Sequence, residues 1–86
     1  MKVGCYAVLD SCSGVYDGPV PAQNDKVAMR NFIQMAQNSD SPIGRSPSDF
    51  SLWRVGGWND AEGEIIPETK KCLAYAVDIL TPKEEV

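Results

Sequence analysis

Two tryptophans, Trp53 and Trp58, flank Arg54, and two tyrosines, Tyr6 and Tyr16, lie near the start of the chain. Aromatic faces stack on unpaired nucleobases, and guanidinium groups bind phosphates through a rigid fork of donors. Each of these residues also has a structural reading. Trp53 lies beside Leu52 and Val55, and Trp58 beside Gly56-Gly57 and a polar turn, so either can fill a small core. Tyr6 and Tyr16 suit half-buried sheet positions equally well. Between Lys26 and Arg54 the chain carries Lys26, Arg30, Arg45 and Arg54 against only Asp40 and Asp49, and the acids concentrate after Asp60. A locally positive face is compatible with this order. Solvation alone explains most surface arginines, but Arg45 stands between Pro42 and Pro47, where a packing role is hard to see.

Catalytic and metal chemistry find little support. Histidine, the commonest general base, is absent. Serine, cysteine or lysine nucleophiles would need another activator. Gly56-Gly57 precedes a tryptophan inside a hairpin pattern, not a helix, so it is no phosphate loop. Glu62 and Glu64 read as a solvated turn. Zinc would need Cys5, Cys12 and Cys72 plus a carboxylate from scattered positions. The expectation is a protein that is not an enzyme and holds no metal or cofactor.

The totals narrow the class further. Eighty-six residues make one small domain, expected over residues 1–82 with a loose tail at 83–86. At 43% hydrophobic and 23% charged, the chain is an ordinary globular one. A net charge of −4 with no basic run argues against a strongly basic nucleic-acid coat. No stretch approaches the ~20 apolar residues of a membrane span, so no membrane partner is expected. The opening Met1-Lys2-Val3-Gly4-Cys5 enters a strand pattern without the apolar core of a secretory signal. Three cysteines, an odd number outside any CxxC spacing, form a poor disulfide framework. Both features place the chain in a cytoplasm.

The elements that would position these residues are read from periodicity. Residues 3–10 alternate, with Val3, Cys5, Ala7 and Leu9 on one face and Gly4, Tyr6 and Val8 on the other. Both faces are fairly apolar, so this strand is expected to be central, or covered on both sides. Residues 11–14 turn the chain, and 15–20 return as a short strand that Pro19 and Pro21 confine to an edge or end early. Asn24 caps a helix over 25–37 whose stripe is Ala28, Phe32 and Ala36, held mainly by Phe32 and Ile33. Residues 38–48 have no period and read as a long loop. Phe50, Leu52 and Arg54 share one side of the next strand, and Ser51, Trp53 and Val55 the other. A turn at 59–63 leads to a partner strand at 64–66, then a polar link at 67–71. Residues 72–80 fit a strand or a helix, and tyrosine, valine and isoleucine favour strand. The fold expected is α+β: a mainly antiparallel sheet of four to five strands with one helix packed on one face. The small core and the edge strand suggest a homodimer.

Several runs recur together in one known family. They are Tyr6-Ala7-Val8-Leu9-Asp10, then Gly14, Tyr16 and Pro19, Asn24, Ala28-Met29-Arg30-Asn31-Phe32, Pro47-Ser48-Asp49-Phe50, Leu52, Gly56 or Gly57, and Gly63-Glu64-Ile65. In this order they resemble the small non-structural protein of gokushoviruses, the tailless single-stranded-DNA phages of the Microviridae. The resemblance spans roughly residues 2–67. It implies a protein of the infected bacterial cytoplasm that is absent from the mature capsid. It also implies a role in genome replication or in the switch to single-strand synthesis and packaging. Joined to the positive middle of the chain, it implies weak single-stranded-DNA binding. Arg30, Arg45 and Arg54 would meet phosphates, Trp58 would stack a base, and Tyr16 and Lys26 would lie beside them. The alternative is a protein-interaction module acting on the phage initiator, the scaffold or a host replication factor, which the negative net charge favours.

Overall fold

In the computed structural model, which describes residues 2–80, both hairpins turn on a glycine. Gly14 (φ 74°) and Gly63 (φ 67°) adopt left-handed conformations that only glycine takes without steric cost. Their amides close the turns by donating to the carbonyls of Asp10 and Asn59, each at 2.8 Å. The elements so joined are β1 (Lys2–Asp10), β2 (Val15–Ala22), β3 (Phe50–Asn59) and β4 (Glu64–Tyr75). They form an antiparallel sheet in the order β2-β1-β3-β4. Helix α1 (Asp25–Gln37) packs on one face, and two short helices, α2 (Pro42–Arg45) and α3 (Ala76–Leu80), pack beside it. The α+β expectation holds, with four strands.

Helix α1 begins where Asn24 caps it. The Asn24 side chain accepts a hydrogen bond from the Val27 amide at 3.0 Å, and Asp25 sits in the first turn. Its buried residues are Ala28, Phe32 and Ala36, spaced four apart. Phe32 is fully buried and centres a core with Tyr6, Leu52, Ile43 and Ala76. Ile33, expected to share the load, is only half-buried. It lies about 100° around the helix from Phe32, on the flank of the stripe.

Three segments differ from their sequence reading. Residues 38–48 are not structureless. The Ser41 side chain accepts from the Gly44 amide at 3.0 Å, Pro42 starts α2, and Ile43 enters the core. A short 3-10 turn, Pro47–Asp49, then leads into β3. Residues 67–71 are not a link but the middle of β4, so two expected strands are one edge strand. Pro67 fits there because an edge leaves an amide unpaired. Residues 72–80 are not all strand either. The chain leaves the sheet after Tyr75 because Ala76, fully buried, packs in the core beside α1. The expected stop at Thr81-Pro82 and the tail at 83–86 lie outside the described residues.

One irregularity decides what the sheet displays. The registers of β3 with β1 and with β4 both slip between Arg54 and Gly56, leaving Val55 as a bulge. Trp53 lies opposite Ala7, and Trp58 opposite Val3. Ala7 and Val3 share a face by alternation, so both tryptophans point to the same side. Strict alternation over five residues would have put them on opposite sides. That shared side is the one away from α1. The three cysteines are free, Cys5 buried, Cys72 half-buried and Cys12 exposed. No helix among the described residues is long and apolar enough to cross a membrane.

Candidate nucleic-acid interface

The helix side of the sheet takes up one candidate residue. Arg54 lies opposite Tyr6, facing the first turn of α1. Its Nη1 donates to Asp25 Oδ1 at 3.0 Å and to the Tyr6 hydroxyl at 3.3 Å. Its Nε and Nη2 donate to the two oxygens of Glu68 at 2.8 and 3.2 Å. Tyr6 completes the cluster by donating to Asp25 Oδ1 at 2.6 Å. One guanidinium thus joins α1 to β1, β3 and β4 and holds two carboxylates, which occupy the donors a phosphate would need. The titrations reflect this. The Tyr6 hydroxyl and then Arg54 hold Asp25 below the usual carboxylate range, and Arg54 does the same to Glu68. Burial, reinforced by the bond to Asp25, pushes Tyr6 up to about 12.

The opposite face has no helix over it among the described residues. Here Tyr16 and Trp53 meet edge to face, with ring centroids 6.2 Å apart at 81°. The indole Nε1 of Trp53 donates to Ser51 Oγ at 2.8 Å, which fixes the ring along its own strand. Lys70 reaches over both rings. Its Nζ lies 4.9 Å from the Tyr16 centroid and 5.6 Å from the Trp53 centroid, and donates to the Tyr16 hydroxyl at 3.0 Å. Farther along, Trp58 lies between Val3 and Ile65 in a cross-strand row, and Ile65 is 63% exposed. Tyr75, paired with Ser51, closes the other end of the face. Cys5, Ala7 and Ser51 between them are small and buried under these larger neighbours. Registers place Asp10, Asp17 and Glu64 on the helix side, and Glu68 is held there by Arg54. Among the described strand residues, Lys70 is therefore the one charged side chain on the open face. A molecule of net charge −4 presents a sheet surface of aromatic and apolar groups with a single cation.

The six residues read from the sequence separate into two groups. Tyr16 and Trp58 lie on the open face. Lys26 and Arg30, one turn apart, are exposed on the outer side of α1. Arg45 ends α2, also exposed and also on the helix side. Arg54 is in the cluster just described. The structure thus places the aromatics on one face and leaves the four cations across the sheet from them. Sequence reasoning missed Trp53, weighted toward the core, and Lys70, in the segment read as a link. Tyr6, a candidate binding residue, is core, with 4% of its surface exposed.

A family model described as Phage ORF5 protein matches residues 3–79. The chain belongs to that family. The match runs from β1 into α3, beyond the limit at residue 67 that the sequence runs suggested. The Phage ORF5 unit therefore includes Lys70, Cys72 and all four strands. No curated protein matches the chain, and no solved structure does.

Proposed function

We propose that this phage protein is a single-stranded-DNA-binding accessory of gokushovirus replication, or of the switch to single-strand synthesis and packaging. It acts in the cytoplasm of the infected bacterium. The observation that carries the reading is the open sheet face, where Tyr16, Trp53 and Trp58 share their side with no acidic residue of the described strands. Unpaired bases stack on such surfaces with little sequence preference, at about 1–3 kcal/mol per base. A duplex, whose bases are already stacked, gains nothing there. The resemblance to the gokushovirus non-structural protein supports the same role.

Charge sets the strength. Each phosphate contact on a single strand adds about −0.7 to the slope of log affinity against log salt. With Lys70 alone the slope is about −0.7. If Lys26, Arg30 and Arg45 also engage a strand wrapping the edge, it approaches about −2.8. Titration of an oligonucleotide against tryptophan fluorescence reads both affinity and slope. Trp58→Ala and Tyr16→Ala are expected to weaken binding without changing the slope, and Arg45→Ala to flatten it by under about one unit. No saturable binding at low salt and tens of micromolar protein would overturn this reading.

One observation favours a second reading. Ile65 and Tyr75, 63% and 52% exposed, add apolar area to a face with one cation. Such patches also mark protein interfaces. The partner would then be the phage initiator, the scaffold or a host replication factor.

A further inference from the structure

Lys70 lies where a stacked base would have to lie. Its ammonium is within cation–π range of both Tyr16 and Trp53 and is anchored to the Tyr16 hydroxyl. The surrounding backbone gives it no cross-strand partner in the ladder. Pro67 pairs with Gly56 and Lys71 with Arg54, so residues 68–70 form a bulge within β4 opposite Val55. Lys70 itself is exposed. An exposed cation–π contact is weak, and a lysine side chain is long and flexible.

Resting on the single-stranded-DNA reading, we propose that Lys70 is a displaceable occupant of the stacking site. A base stacking on one ring of this edge-to-face pair expels the ammonium, and the phosphate joined to that base receives it. The site is then selective for a base covalently attached to an anion. A neutral ligand of the same shape displaces Lys70 without offering it a partner. The residue thus opposes stacking by uncharged aromatics and favours stacking by nucleotides. No other charged side chain of the described strands on this face can serve instead.

The test compares two oligothymidylates of equal length, one with natural phosphodiesters and one with an uncharged methylphosphonate backbone. Each is titrated against the unaltered protein, Lys70→Ala and Lys70→Arg. The unaltered protein is expected to prefer the phosphodiester strand. In Lys70→Ala that preference shrinks, phosphodiester binding weakens, and the neutral strand binds as tightly as before or tighter. A tenfold rise in salt costs Lys70→Ala about fivefold less phosphodiester affinity than it costs the unaltered protein. Lys70→Arg retains the preference. Equal weakening of both strands by Lys70→Ala, or no change in either, overturns the role given to Lys70 while leaving DNA binding intact. If the unaltered protein binds neither strand, the single-stranded-DNA reading itself fails. Thermal melts of each variant confirm that the exposed substitution leaves the fold in place.

Discussion

On the helix side of the sheet, Tyr6, Leu52 and Phe50 pack against Phe32, while on the reverse side Tyr16, Trp53 and Trp58 remain partly in water. The cations differ in the same way. Arg54, beneath α1, is matched by Asp25 and Glu68, and Lys70, on the reverse side, meets two aromatic rings and the Tyr16 hydroxyl but no carboxylate that it pairs with among the described strands. A cation held by two carboxylates is committed to the fold. A cation resting on rings gives up little by leaving them. The pairing of each positive charge therefore separates structural from available residues better than its position in the chain.

The contrast predicts unequal damage. Phe32→Ala is expected to cost about 3–5 kcal/mol, the loss typical of a buried phenylalanine, and to leave much of so small a domain unfolded. Trp53→Ala removes a larger side chain but one half in water, and is expected to cost clearly less. Denaturant titration of the two variants would break the comparison if Trp53→Ala proved the more harmful.

A smaller effect probes how the covered side is shaped. Gly4 lies on that side, and a β-carbon there would overlap the hydroxyl end of the Tyr6 ring. Gly4→Ala is expected to cost about 1–3 kcal/mol, as overpacking usually does. It should also move the Tyr6 ionisation down from about 12, because the ring could no longer reach Asp25. A phenol absorbance titration that still showed one strongly delayed tyrosine would refute the steric argument.

The smallest effect is electrostatic. Asp25 and Glu68 titrate below their ordinary values in the folded chain, so the unfolded chain binds more protons in the acid range. Their contribution is present at neutral pH and is lost as pH falls below about 4 and through the depressed folded values. Both carboxylates are about one-third exposed, 38% and 35%, so solvent screens much of the gain. Asp25→Asn should melt slightly lower at pH 7 and show a flatter decline on acidification. Parallel acid curves for the variant and its parent would remove Asp25 from the account.

Much of this arrangement could be read from local pattern. Alternation in β1 and β3 and the stripe of α1 are periods that short windows contain. The parity that put Arg54 with Phe50 and Leu52 was also legible. What escaped depends on distant partners. Helix α2 is one turn, too short for a period, and exists because Ser41 caps it and Ile43 finds the core. The switch to α3 hangs on Ala76 packing in a core shared with Phe32. In the site, the aromatic residue types were visible, but the face they occupy depends on the Val55 bulge. Arg54 looked available because Asp25 and Glu68 are far from it in sequence. Lys70 looked like part of a linker because β4 is irregular there.

The core also lies toward one end of the strands. Its contacts with β3 are made by Phe50 and Leu52, and no residue of β3 beyond Arg54 belongs to it. The hairpin of β3 and β4 runs on from there, giving a radius of gyration of 13.7 Å, against about 12 Å for a compact domain of this length. Amide protons near Phe32 and Leu52 are thus expected to be released only by global opening, and those around Asn59 and Gly63 to exchange through local fraying. Trp53 stands on the slow half of the molecule and Trp58 on the fast half. A strand that engaged both would find the first platform already rigid and would have to quiet the second, so the entropy of ordering falls almost entirely on the hairpin tip.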